Sequence, residues 1–122
     1  MITELQKIKF ILELIRRTAK DEVIWEITSS PTGLSPIIVD LSYKTVFKDR
    51  TFRIFKYKSD YKYADANMFD GKSGKVRLEL IDENNNARYE FPYDYSLITL
   101  YDLIQEKTSD IMGLFETILQ EN

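Results

Sequence analysis

The chain has neither cysteine nor histidine among its 122 residues. Without cysteine there is no disulfide, no thiolate nucleophile and no cysteine-held zinc or iron–sulfur cluster. Without histidine, the side chain that most often serves as general base and nitrogen ligand is missing too. Acid–base work would fall to carboxylates, lysines and tyrosines, so the reading leans away from an enzyme, and no cofactor is expected. Glycine and proline are scarce, at four and three residues, which excludes collagen-like and linker-like chains. Uninterrupted apolar runs, such as Ile37-Ile38-Val39, fall far short of the roughly 20 residues that a membrane-crossing helix needs. With Glu4, Lys7 and Lys9 set in the first apolar stretch, the N-terminal segment does not read as a signal peptide. A cytoplasmic protein without a membrane partner is the expectation.

What is present describes a packed domain. The composition is 43% hydrophobic and 30% charged, and a chain of this length buries roughly two-thirds of its unfolded surface. One domain over residues 1–122 is expected. Thr3 stands three residues before Gln6, the spacing of a capping box, and Leu5, Ile8, Ile11, Leu12 and Ile15 recur at helical spacing, widened by Phe10 and Leu14. These positions predict a core helix to about Arg17.

Residues 22–28 alternate Val23, Trp25 and Ile27 on one face with Glu22, Ile24 and Glu26 on the other and read as a half-buried strand. Residues 29–36 carry two prolines and read as a surface loop. Residues 37–47 and 51–57 are two further alternating runs joined by Lys48-Asp49-Arg50, a hairpin. Residues 59–74 have turn composition over an unusually long span, the first place to look for function. Residues 75–80 and 88–93 form a second hairpin across Asp82-Glu83-Asn84-Asn85-Asn86, with Pro92 ending its strand or marking an edge. After Asp94 or Ser96 as N-cap, Leu97, Leu100, Leu103, Ile104, Ile111, Leu114, Phe115, Ile118 and Leu119 keep helical spacing, interrupted at Thr108-Ser109-Asp110. One helix or a pair fits equally. The fold expected is α+β: an antiparallel sheet of about five strands, flanked by an N-terminal helix and a C-terminal helix or helix pair that cover its apolar face.

Three motifs bear on chemistry. Gly71-Lys72-Ser73 resembles the end of a phosphate-binding loop, but Ala66 stands where its first glycine belongs and a strand, not a helix, follows. Asp65, Asn67 and Asp70 lack the twelve-residue frame of a calcium loop. Glu22, Glu26, Glu79 and Glu90 could supply a carboxylate pair for hydrolysis, although acids on an exposed sheet face are ordinarily just solvated.

The charge is uneven. Residues 43–63 hold seven basic and two acidic groups, whereas 79–122 hold two and ten, an asymmetry read first as two parts of one fold attracting each other. In the basic part, cations interleave with rings. Tyr43, Lys44, Arg53, Phe55, Tyr57, Lys58, Tyr61, Lys62 and Tyr63 form the candidate binding surface. Rings stacking on bases and cations following phosphates would suit single-stranded nucleic acid, yet a pI near 5.0 disfavours it. The leading expectation is therefore a non-catalytic protein-interaction module: an adaptor, an immunity-type inhibitor or a self-associating subunit. Its motive is mainly that no catalytic constellation survives, and positively that the chain holds sixteen aromatic residues, eight Tyr, seven Phe and one Trp, more than a small core requires.

Overall fold

The computed structural model describes residues 1–31, 37–59 and 75–121. Among these, the elements run α1 (Glu4–Ala19), β1 (Glu26–Thr28), β2 (Ile37–Phe47), β3 (Arg50–Ser59), β4 (Lys75–Ile81), β5 (Ala87–Glu90), α2 (Tyr95–Thr108) and α3 (Ile111–Leu119). The five strands are antiparallel neighbours in chain order, a meander with β3 at its centre. This is the α+β order expected from the sequence, with the C-terminal segment resolved as two helices.

Local chemistry sets the ends of α1. The Gln6 backbone N–H donates to Thr3 Oγ1 at 3.1 Å, and the Thr3 N–H donates to Gln6 Oε1 at 2.8 Å, so the capping box is closed. At the far end Asp21 adopts a left-handed φ of 61°, and the Glu22 N–H donates to the Arg17 carbonyl at 2.9 Å, which stops the helix and turns the chain. Trp25 then reaches back and its indole N–H donates to Thr18 Oγ1 at 3.0 Å within the core. Val23 and Trp25 are buried as their alternation suggests, although the ladder itself begins only at Glu26.

The core fills the space between α1, α2 and one face of the sheet. Ile11 and Leu14 of α1 and Leu97, Leu100, Tyr101 and Ile104 of α2 meet Tyr43, Phe52, Ile54, Val76 and Leu78. The Tyr101 hydroxyl donates to the Leu41 carbonyl at 2.8 Å, tying α2 to β2, so a buried ring keeps its polar end satisfied. The stripe of α1 is rotated from the one expected: Ile11, Leu14 and Thr18 point inward, while Leu5 and Leu12 are exposed. Asp94, not Ser96, caps α2, its carboxylate accepting from the Ser96 N–H at 3.0 Å.

Between Phe47 and Arg50, which are register partners, Lys48 and Asp49 both take left-handed φ values of 53° and 62°. Two such residues make the two-residue turn that matches strand twist, but neither is the glycine or asparagine that occupies it without strain. Asp49→Gly is expected to raise unfolding free energy by about 0.5–1 kcal/mol; an unchanged or lower urea midpoint would refute this turn geometry.

On α1, the guanidinium groups of Arg16 and Arg17 both donate to the Glu13 carboxylate and lower its pKa from an ordinary 4.5 to about 2. A carboxylate with a depressed folded pKa stabilises above its unfolded pKa and loses that contribution as pH falls through the folded one. The stability gap between the wild type and Glu13→Gln should therefore be widest above pH 5 and close between pH 4.5 and 2. Denaturant melts across that window check the sign; a gap that widens on acidification contradicts it.

Candidate functional site

The basic aromatic segment divides once the strands are paired. Tyr43 (1% exposed) is a core residue beneath Tyr101, and Phe55 (0%) and Arg53 (5%) are buried on the opposite sheet face. None of these three offers a surface to a base or a phosphate. Lys44 and Tyr57 are half-buried and Lys58 is exposed; the Arg77 guanidinium lies 5.0 Å from the Tyr57 ring centre and 5.7 Å from that of Phe55. Tyr61, Lys62 and Tyr63, and the loop at 59–74 apart from Ser59 at the end of β3, lie outside the described residues, as do the phosphate-loop and calcium-loop resemblances.

Arg53 is where it is because of the register. Glu26 pairs with Lys44, Lys44 with Arg53, Arg53 with Glu79 and Glu79 with Glu90, so a single charged row crosses all five strands on the face away from the helices. Register neighbours of like sign would repel, and the row resolves this by pairing unlike ones. Arg53 Nε and Nη2 donate to Glu79 Oε1 at 3.1 and 2.8 Å, while its Nη1 donates to the Asn85 carbonyl at 3.1 Å. Lys44 lies 3.7 Å from Glu26, and Arg77 reaches diagonally to 2.9 Å from Glu90. Three of the four acids that could supply a hydrolytic pair are thus held by cations: Glu26, Glu79 and Glu90 each have a basic partner, while Glu22 is exposed in the turn after α1. The charge asymmetry works inside the fold at Arg53–Glu79, where the basic and acidic parts meet.

On the helix-covered face a cavity of about 590 Å³ opens between the N-terminal half of α1 and the ends of β3, β4 and β5. Phe10, Phe52 and Phe91 form its aromatic wall; Phe10 stacks on Phe91 at 5.5 Å and lies 5.7 Å from Phe52. Lys7 and Arg50 bring the charges at the cavity. The Lys7 ammonium lies 6.0 Å from the Tyr89 ring centre and donates to exposed Glu4 at 3.2 Å, and that hydrogen bond raises its pKa, keeping it cationic. Arg50 donates to the Lys48 carbonyl at 3.2 Å, and among the described residues no carboxylate pairs with it.

The third feature is α3. Thr108 Oγ1 donates to the Ile104 carbonyl at 2.8 Å and Asp110 takes a φ of 59°, so α2 ends and the chain turns before α3 begins. Six of the nine residues of α3 are large and apolar. At 100° per residue Ile111, Met112, Leu114, Phe115, Ile118 and Leu119 fill an arc of roughly 160°, leaving Gly113, Glu116 and Thr117 on the other side. An arc that wide normally faces a core. Here the five after Ile111 are 53% to 74% exposed. The expectation that the whole C-terminal helical segment covers the sheet therefore holds for α2 and not for α3. Helical spacing cannot distinguish a stripe aimed at the core from one aimed at solvent; the capping residues before Ile111 mark where the direction changes.

Among the described residues no helix is long and apolar enough to cross a membrane, and no three acidic side chains gather as a metal site would require. Comparison of the chain with protein-family models, curated proteins and solved structures finds no match.

The charged row makes a double-mutant cycle informative. Removing one member of a buried ion pair strands the other, so Arg53→Met and Glu79→Met are each expected to cost about 3–5 kcal/mol, while the double variant recovers most of that loss. Losses that simply add would show that the two side chains do not depend on each other.

Proposed function

We propose that the protein is an interaction module that pairs with a second copy of itself through α3. The observation that supports this is the uncovered apolar arc of Ile111–Leu119, five of whose side chains are more than half exposed. Isolated apolar side chains on a surface are ordinary, but a contiguous patch on one short helix is the kind of surface that proteins cover. A nine-residue helix is marginal by itself in water, and a partner helix gives it the packing that its own fold does not.

The area suits a small symmetric dimer. With roughly 90 Å² of exposed apolar surface on each of the five side chains, one α3 offers about 450 Å², and a twofold pair about 900 Å². That approaches the roughly 1,000 Å² at which specific interfaces begin, before any contribution from a rim. Ile111–Leu119 contains no lysine or arginine, which weighs against a lipid surface, where such helices carry basic residues.

Charge distinguishes self-pairing from binding to a different protein. Asp110, Glu116 and Glu121 flank the apolar arc, so two copies bring like charges together while a basic partner would bring unlike ones. Self-association is expected to strengthen as salt screens the acids. Sedimentation over a concentration series should show a dimer that tightens from 50 mM to 500 mM salt and becomes a monomer in the Phe115→Glu/Ile118→Glu variant, whose melting temperature stays within a few degrees because neither ring nor branch is in the core. A wild-type protein that stays monomeric at high concentration and high salt contradicts self-pairing, and binding that weakens with salt would point to a basic partner protein instead.

A further inference from the structure

Beyond pairing through α3, we infer that the cavity at the N-terminal half of α1 is a binding site for a small amphipathic anion, a carboxylate with an apolar tail of fatty-acid type. The argument starts from shape and lining. At about 590 Å³ the cavity lies within the 300–1,000 Å³ typical of small-molecule sites, which are mostly apolar with a few placed polar groups. Phe10, Phe52, Leu80 and Phe91 supply the apolar surface, and Lys7 and Arg50 the charge.

Both charged groups are positive. Among the described residues no acidic side chain lines the cavity; the acid that pairs with Lys7, Glu4, is exposed and lies outside the lining. Arg50 has no carboxylate partner among the described residues, although its planar fork is suited to gripping one with two hydrogen bonds. A chain with a net charge of −3 thus holds an apolar recess whose charged lining residues, among the described residues, are both cationic, and that pairing selects for a ligand with a hydrophobic body and one negative head. A neutral hydrocarbon would leave the cations unused, and a polyanion would leave the aromatic wall uncovered.

The site is also separate from the α3 surface. Lys107, near the end of α2 that leads into α3, donates to the Ala19 carbonyl at 3.1 Å and to Asp21 at 2.9 Å, at the C-terminal end of α1. The cavity borders the other end of α1, so its occupation does not require the dimer.

Isothermal titration with dodecanoate, held below its micelle concentration, tests the inference against two probes of equal length: dodecanol, without charge, and dodecyltrimethylammonium, with the opposite charge. Saturable one-to-one binding of dodecanoate is expected, with dodecanol at least tenfold weaker and the cation without measurable binding. Arg50→Gln, an exposed residue whose replacement leaves the core intact, should weaken dodecanoate about tenfold and leave dodecanol unchanged. Leu80→Trp should abolish both by filling the recess; circular dichroism shows whether that variant is folded, and Leu80→Met serves as the volume-conserving control that retains binding. No saturable binding of dodecanoate to the wild type, equal affinity for dodecanol, or an Arg50→Gln variant that binds dodecanoate as tightly as the wild type would each overturn the site.

Discussion

Arg53 and Glu79 face each other across β3 and β4 at 2.8 Å with 6% of each side chain exposed, and the two-faced character of the sheet depends on that pair. β3 is the central strand, and Phe52, Arg53, Ile54 and Phe55 are buried in succession, so both of its faces are closed. A strand closed on both faces normally reads as continuous apolar residues. Here one position in four is a guanidinium, kept inside because Glu79 and the Asn85 carbonyl meet its hydrogen-bonding groups. Through Asn85 the pair also reaches the turn between β4 and β5, where the Asp82 carboxylate accepts from the backbone N–H groups of Asn84 and Asn86. The central strand and the β4–β5 hairpin thus share one polar junction. A pair of this kind adds little net stability but penalises every register that separates its members, which suits a sheet where a slip by one residue would send each side chain to the wrong face.

Much of the architecture was legible in the residues. The period of two in β2 to β4, the Thr3–Gln6 box and the acidic-and-asparagine turn at 82–86 are local signals, and local signals carry through whenever the core agrees with them. The break between α2 and α3 was legible as capping composition. What was not legible is which of two alternating sets faces the helices, because alternation is symmetric under exchange of faces. That is why Tyr43, Arg53 and Phe55 read as parts of one basic aromatic surface when Tyr43 belongs to the helix-covered core and the other two to the opposite face. The cavity was hidden for a different reason. Lys7, Phe10, Arg50, Phe52 and Leu80 come from three separate elements and Phe91 from the segment just after β5, and no spacing within any one of them announces that they converge.

The aromatic surplus seen in the composition now has places. Phe10, Phe52, Tyr89 and Phe91 form a contiguous cluster, with Tyr89 edge-on to Phe91 at 5.1 Å, and this cluster encloses a recess instead of filling it. Phe115 stands on α3 in solvent. A core built only for stability would close such a recess and bury such a ring, since voids and exposed rings each forgo packing. Two groups of apolar side chains beyond those that fill the core thus stand out, one concave at the cavity and one convex on α3.

Those two places relate to the core in opposite ways. The residues of α3 contribute nothing to the cluster that holds the sheet and helices together, so changes to its exposed side chains are separable from the packing of that core. The cavity, in contrast, shares Phe52 with the core and borders on Phe10, Leu80 and Phe91, which pack against it. Anything that occupies it adds contacts to the native state that the unfolded chain lacks, and so raises stability by mass action. A surface carried on a helix outside the core suits an encounter with another macromolecule, because its side chains can change without disturbing the core. A recess cut into the core suits a small ligand, because only something that fits among packed rings recovers the contacts left open there.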